Sequence, residues 1–102
     1  MLQLRPSCEH CNRALPPDAV DARICSFECT FCAGCVSDVL LGVCPNCGGG
    51  FEARPIRPSR NWRGDNDVAH HPASTTVRHA PVDRERHRAF AGPIAPIAPR
   101  AR

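Results

Sequence analysis

The chain has 102 residues, a formal net charge of +3, 8 cysteines and 11 prolines; it has no tyrosine and no lysine, so all 13 basic residues are arginine. A chain of this length holds one modest core, and only if most of it can fold. Residues 55–102 carry 7 of the prolines and few large apolar residues, which confines the expected domain to residues 1–56 and excludes a large enzyme pocket, a parallel sheet and a cofactor-binding domain.

In chain order, Leu2 and Leu4 alternate with polar neighbours and fit a short first strand or a cover over the core. Met1 to Cys8 contains no apolar run of the signal-peptide kind. No stretch approaches the roughly 18 consecutive apolar residues of a membrane span. The expectation is a cytoplasmic chain without membrane contact, whose thiols stay reduced.

Cys8-Glu-His-Cys11 forms the first cysteine turn, and Asn12 to Arg23, with Pro16-Pro17, Asp18 and Asp21, reads as a loop. Arg23 to Phe31, with Ile24, Phe27 and Phe31, is the place for a short hairpin. Cys35 to Leu41 places Val36, Val39 and Leu40 on one face of a short helix, with Gly42 as its C-terminal cap. Cys44-Pro-Asn-Cys47-Gly-Gly-Gly50 repeats the first turn, and Phe51 and Ile56 are placed to pack back on the core. Beyond Arg57 the periodicity ends. Residues 57–102 read as an Arg/Pro-rich disordered tail, closing on a polyproline-type stretch with Pro-x-x-Pro spacing.

The chemistry lies in the cysteines, all between Cys8 and Cys47. Two residues separate Cys8 from Cys11, thirteen Cys11 from Cys25, three Cys25 from Cys29; two stand between Cys29 and Cys32 and between Cys32 and Cys35, eight between Cys35 and Cys44, and two between Cys44 and Cys47. A pair two residues apart brings both sulfurs within tetrahedral reach of one Zn²⁺, at about 2.3 Å each. Backbone N–H groups after the first cysteine of such a turn point at its sulfur, and a glycine after the second lets the chain leave with φ > 0. In a reducing compartment eight such residues read as two closed four-cysteine zinc sites before disulfides or an iron–sulfur centre. Each zinc would contribute on the order of 10–16 kcal/mol of folding free energy, far more than the burial available in a head this small. Spacing alone permits two divisions. A sequential one puts Cys8, Cys11, Cys25 and Cys29 on one ion and Cys32, Cys35, Cys44 and Cys47 on the other. An interleaved one pairs Cys8, Cys11, Cys32 and Cys35, and separately Cys25, Cys29, Cys44 and Cys47.

Charge divides with composition. Residues 1–54 carry four arginines against six acidic groups, and residues 55–102 nine against four. With eight thiolates on two Zn²⁺ the head reaches about −6 and the whole chain about −1. The expected picture is an acidic, metal-bound head with a basic tail.

Outside the cysteines little suggests a site. His10 sits inside a turn whose ligands are already complete, and His70, His71, His79 and His87 are irregularly spaced in a polar stretch. Glu9, Glu28 and Asp38, like Ser7, Ser26 and Ser37, show no pairing of base with nucleophile. No catalytic residue and no small-molecule substrate is expected. Trp62, among Arg57, Arg60 and Arg63, forms a basic-aromatic segment able to stack on a base or dock on a protein, or to fold back beside Phe51.

The cysteine order resembles the cross-brace of RING-type domains in an all-cysteine form. That resemblance implies the interleaved division and a small α+β, treble-clef-like head with a short hairpin, one short helix and two knuckles. It stops at the residues of ubiquitin ligases. Glu9 stands where an aliphatic residue follows the first ligand, Leu40 and Leu41 where a tryptophan is frequent, and Gly48 where a basic residue follows the last ligand. Only Pro45 matches, so the resemblance implies architecture without ligase activity.

A closer resemblance lies in Ala22-Arg-Ile-Cys-Ser-Phe-Glu-Cys-Thr-Phe-Cys32, Val43-Cys-Pro-Asn-Cys-Gly-Gly49 and Arg54-Pro-Ile-Arg-Pro58, with Leu4-Arg-Pro6 and Pro16-Pro-Asp18. These resemble the small bacterial family known as domain of unknown function 1272, over residues 1–58 and faintly at Pro72-Ala-Ser-Thr75. The resemblance implies a bacterial, cysteine-rich metal-binding head. The expected function is a non-enzymatic zinc module that binds a protein partner, with Leu40, Leu41 and Trp62 as contacts. A nucleic-acid binder using the arginine-rich tail is the alternative, and a thiol-redox or zinc-handling protein a further one.

Overall fold

The computed structural model describes all 102 residues, and its architecture follows from one tight reversal. Cys25 to Cys29 turn the chain back on itself, with the Glu28 N–H donating to the Cys25 carbonyl at 3.0 Å and the Cys25 N–H to the Cys29 carbonyl at 3.2 Å. Glu28 takes φ 66° to complete it. The arms of this turn are β1 (Ala22–Ile24) and β2 (Thr30–Cys32), antiparallel with Ala22 opposite Cys32 and Ile24 opposite Thr30. A third strand, β3 (Glu52–Ala53), pairs antiparallel with the other edge of β1, giving the order β2-β1-β3.

Helix α1 (Ala33–Asp38) leaves β2 directly. It begins two residues before the stretch that periodicity marks, because Cys32 is already its N-cap. Its end is closed by Leu41 at φ 55° and Gly42 at φ 71°, and the Gly42 N–H returns to the Val36 carbonyl at 2.9 Å, the turn expected of a glycine beyond a helix C-terminus. Leu2 and Leu4 form no strand, but Leu4 is buried.

The central cluster of buried residues is Cys8, Leu15, Ala22, Cys25, Cys29, Phe31, Cys32, Cys35, Val39, Leu40 and Cys44. Sulfur side chains thus outnumber the large apolar ones. Phe51 packs edge-on against Phe31, with ring centroids 5.6 Å apart. Arg54 is buried and spans the head, donating to the carbonyls of Arg5 at 2.9 Å, Leu15 at 3.0 Å and Pro16 at 2.8 Å. It therefore ties the N-terminal segment and the Pro16-Pro17 loop to β3 without any carboxylate partner.

The expectation of a disordered tail is overturned. Arg57 donates to the His71 carbonyl at 2.6 Å and the Leu2 carbonyl at 2.8 Å, and the Ser74 N–H to the Leu4 carbonyl at 2.9 Å. The buried Asp67 carboxylate accepts from the His70 N–H and ring, which holds its pKa below the usual carboxylate value. A second helix, α2 (Arg84–Ala91), is capped by Asp83, which accepts from the Arg86 N–H at 3.0 Å. These backbone and side-chain bonds, more than hydrophobic periodicity, lay the segment along the head. No helix is long and apolar enough to cross a membrane.

Candidate metal centres

Each cysteine pair sits on the same local device. In the first turn the Cys8 N–H donates to the Arg13 carbonyl and the Asn12 N–H to the Cys8 carbonyl, both at 2.9 Å. In the second, the Cys44 N–H donates to the Gly49 carbonyl and the Gly48 N–H to the Cys44 carbonyl, both at 2.8 Å. Asn12 and Gly48 stand at the same place in the two knuckles, with φ 62° and φ 78°. Both are residue types that adopt this left-handed conformation readily. The expected role of Gly48 is therefore observed, and asparagine fills it in the first knuckle.

The knuckles meet the other cysteines in an interleaved way. Cys8 and Cys11 join Cys32 and Cys35, from the end of β2 and the start of α1, with all four sulfurs within 4.8 Å of one another. The Cys11 and Cys32 sulfurs are 3.8 Å apart. Four sulfurs placed tetrahedrally about 2.3 Å from one ion stand about 3.8 Å apart, so this spacing fits a single metal. Cys25, at the end of β1, joins Cys44 and Cys47 within the same 4.8 Å limit. Cys29 lies outside that mutual spacing, its sulfur accepting from the Asn46 side-chain amide at 3.4 Å. One group of four and one of three are thus positioned to hold metal ions.

Burial pushes the Cys35 and Cys44 thiols far above their ordinary value. Neighbouring sulfurs, Cys32 and Cys8 for Cys35 and Cys29 and Cys25 for Cys44, push in the same direction. The N–H groups of Asn46 and Cys47 oppose them at Cys44, which is the knuckle's stabilisation of a thiolate. Burial likewise raises Cys29. Several buried thiols in contact resist ionising together, and a divalent cation removes that conflict.

The expected partner contacts fare differently. Leu40 is fully buried and belongs to the core cluster, which corrects its placement as a surface contact. It lies just beyond α1 on the face that packs inward, and α2 covers its carbonyl. Leu41 is 42% exposed and Trp62 72% exposed, with the Arg60 guanidinium 6.0 Å from the Trp62 ring centroid rather than Phe51 beneath it. The sequence marks no partner for His10 or His87. In the fold, the His10 Nδ1 accepts from the Val82 N–H at 2.9 Å, and His87 is buried.

Over residues 1–57 the chain matches the family described as "Protein of unknown function (DUF1272)". An uncharacterized protein of Rhizobium meliloti (strain 1021) is 64% identical over 59 residues, which cover 58% of this chain and 70% of that protein. No solved structure matches.

Proposed function

We propose that this chain, which belongs to the DUF1272 family of proteins of unknown function, is a zinc-stapled, non-enzymatic module that binds a protein partner. The observation that carries the reading is the closed group of Cys8, Cys11, Cys32 and Cys35, whose sulfurs have the mutual spacing of ligands on one tetrahedral ion. All-thiolate sites select zinc among common divalent ions, and four protein ligands leave no position for water or substrate. Such a site shapes a surface and does not turn over. Cys25, Cys44 and Cys47, with Cys29 as the adjacent fourth sulfur, make the second centre. Exposed Leu41 and Trp62 supply partner contacts at the surface.

Cobalt substitution tests the closed character of the sites. Titration of the metal-free chain with Co²⁺ is expected to saturate at about two equivalents with tetrahedral thiolate absorption that added azide leaves unchanged. A spectrum that shifts with azide reveals an open coordination position and contradicts the reading.

A further inference from the structure

Residues 79–95, which follow the exposed stretch Thr75–Arg78, lie across both knuckles. The His79 ring Nε2 donates to the His10 carbonyl at 3.1 Å, the Ala80 N–H to the Glu9 carbonyl at 2.8 Å, and the Val82 N–H to the His10 ring at 2.9 Å. Val82 packs on the core cluster. One helical turn on, the His87 ring donates to the Leu40 carbonyl at 2.8 Å. Phe90 and Ile94 reach the second knuckle, each with a side-chain carbon 3.7 Å from where a Cβ on Gly48 would stand. The groove they lie on is therefore built from His10 in the first knuckle, Leu40 beyond α1, and Gly48 in the second knuckle, where Pro45 also lies beside Val82, His87 and Phe90.

We propose that residues 79–95 are a ligand bound in cis to a peptide-docking groove of the metal head. When the segment lifts, the groove takes a partner segment of the same chemistry. That chemistry is an extended Ala-Pro-Val stretch, which donates backbone N–H groups to the first knuckle. It leads into a basic helix presenting His and Ala four residues apart. The inference rests on the proposed interaction role and names its surface.

Two features set this segment apart from the core. Its buried side chains are few: α2 buries only His87 and Ala91 along its length, and Arg84, Arg86 and Arg88 face solvent. Segments with few buried groups open locally at far lower free energy than the whole fold. The groove residues also lie inside the family match over residues 1–57, whereas the segment that fills the groove lies beyond it. A helix that occupies its own chain's groove lowers the apparent affinity of an outside segment by the fraction of time the groove is closed.

The test uses the full zinc-loaded chain and a fluorescein-labelled peptide of residues 79–95, read by fluorescence polarisation. In the chain, His87→Ala removes the buried ring contact and Ala91→Glu places a charge in the buried position. Each is expected to raise affinity for the labelled peptide about tenfold or more over the unaltered chain, while a peptide carrying His87→Ala loses binding. Amide exchange of the unaltered chain is expected to show the α2 amides exchanging about 100-fold faster than those of β1 and β2. Equal peptide binding by all three chains, or exchange of α2 in step with the sheet, overturns the proposal and makes the segment an integral part of the fold. Zinc counted on the same samples reports separately on the module itself: its loss in the unaltered chain sinks the parent reading, whereas its retention with no peptide binding sinks only the groove.

Discussion

The Glu9 carboxylate accepts the Thr30 backbone N–H at 2.6 Å, and the Glu9 N–H in turn donates to the Thr30 carbonyl at 3.0 Å. This reciprocal pair fastens the first knuckle to β2, which leads into Cys32. The same carboxylate oxygen accepts from Arg5 at 2.9 Å. Where ligase-type domains place an aliphatic side chain, this chain uses a buried acid as a strut.

Glu9→Ala leaves the Thr30 N–H and the Arg5 guanidinium without their acceptor. The expected loss is about 2–3 kcal/mol, measured as the guanidinium midpoint at fixed free zinc. Glu9→Gln keeps an acceptor for Thr30 and is expected to lose about half as much. Equal midpoints for Glu9→Ala and the unaltered chain would show that the strut carries no load.

The equivalence of Asn12 and Gly48 predicts unequal responses to substitution. Gly48→Ala forces a Cβ into a left-handed residue and is expected to destabilise the second knuckle by about 1 kcal/mol. Asn12→Gly leaves the first knuckle's stability within about 0.5 kcal/mol. Metal affinity of each variant, from competition with a chromophoric chelator, checks both, and a Gly48→Ala chain that binds zinc as tightly as the original contradicts the shared geometry.

Proton release should accompany zinc binding. The metal-free Cys35 and Cys44 thiols lie well above the ordinary value of 9.0, so they hold their protons at neutral pH and zinc must displace them. Zinc affinity is therefore expected to rise with pH, and the Cys35 and Cys44 protons are expected to be released on binding near neutrality. Calorimetric titration in buffers of differing ionisation enthalpy counts the protons, and a count near zero contradicts protonated thiols.

Much of the head was legible because its chemistry is written in spacing. The knuckles at Cys8-Cys11 and Cys44-Cys47, the hairpin around Cys25 to Cys29 and the cap at Gly42 follow from local rules of reach and backbone conformation. The short β3 carried no alternation to read, since it pairs through only Glu52 and Ala53. Arg54 was missed because three carbonyls of distant residues hold its two terminal guanidinium nitrogens, which no periodicity reports. Leu40 was placed on the surface because a short apolar helix stripe has too few residues to show which of them faces in. Helix α2 carries arginine at three of its eight positions and shows no apolar stripe, although Asp83 before Arg84-Glu85-Arg86 is a capping signal in plain view. The embrace of His10 by the tail depends on pairing across 69 and 72 positions, which is a tertiary fact.

Native mass spectrometry of the purified chain tests the central claim, that metal cross-links hold the head together. The expected result is a compact ion carrying two zinc ions and eight reduced cysteines, and collapse of amide dispersion in the NMR spectrum once a strong chelator removes the metal. A chain that stays folded with no metal, or that closes its cysteines into disulfides, would contradict it.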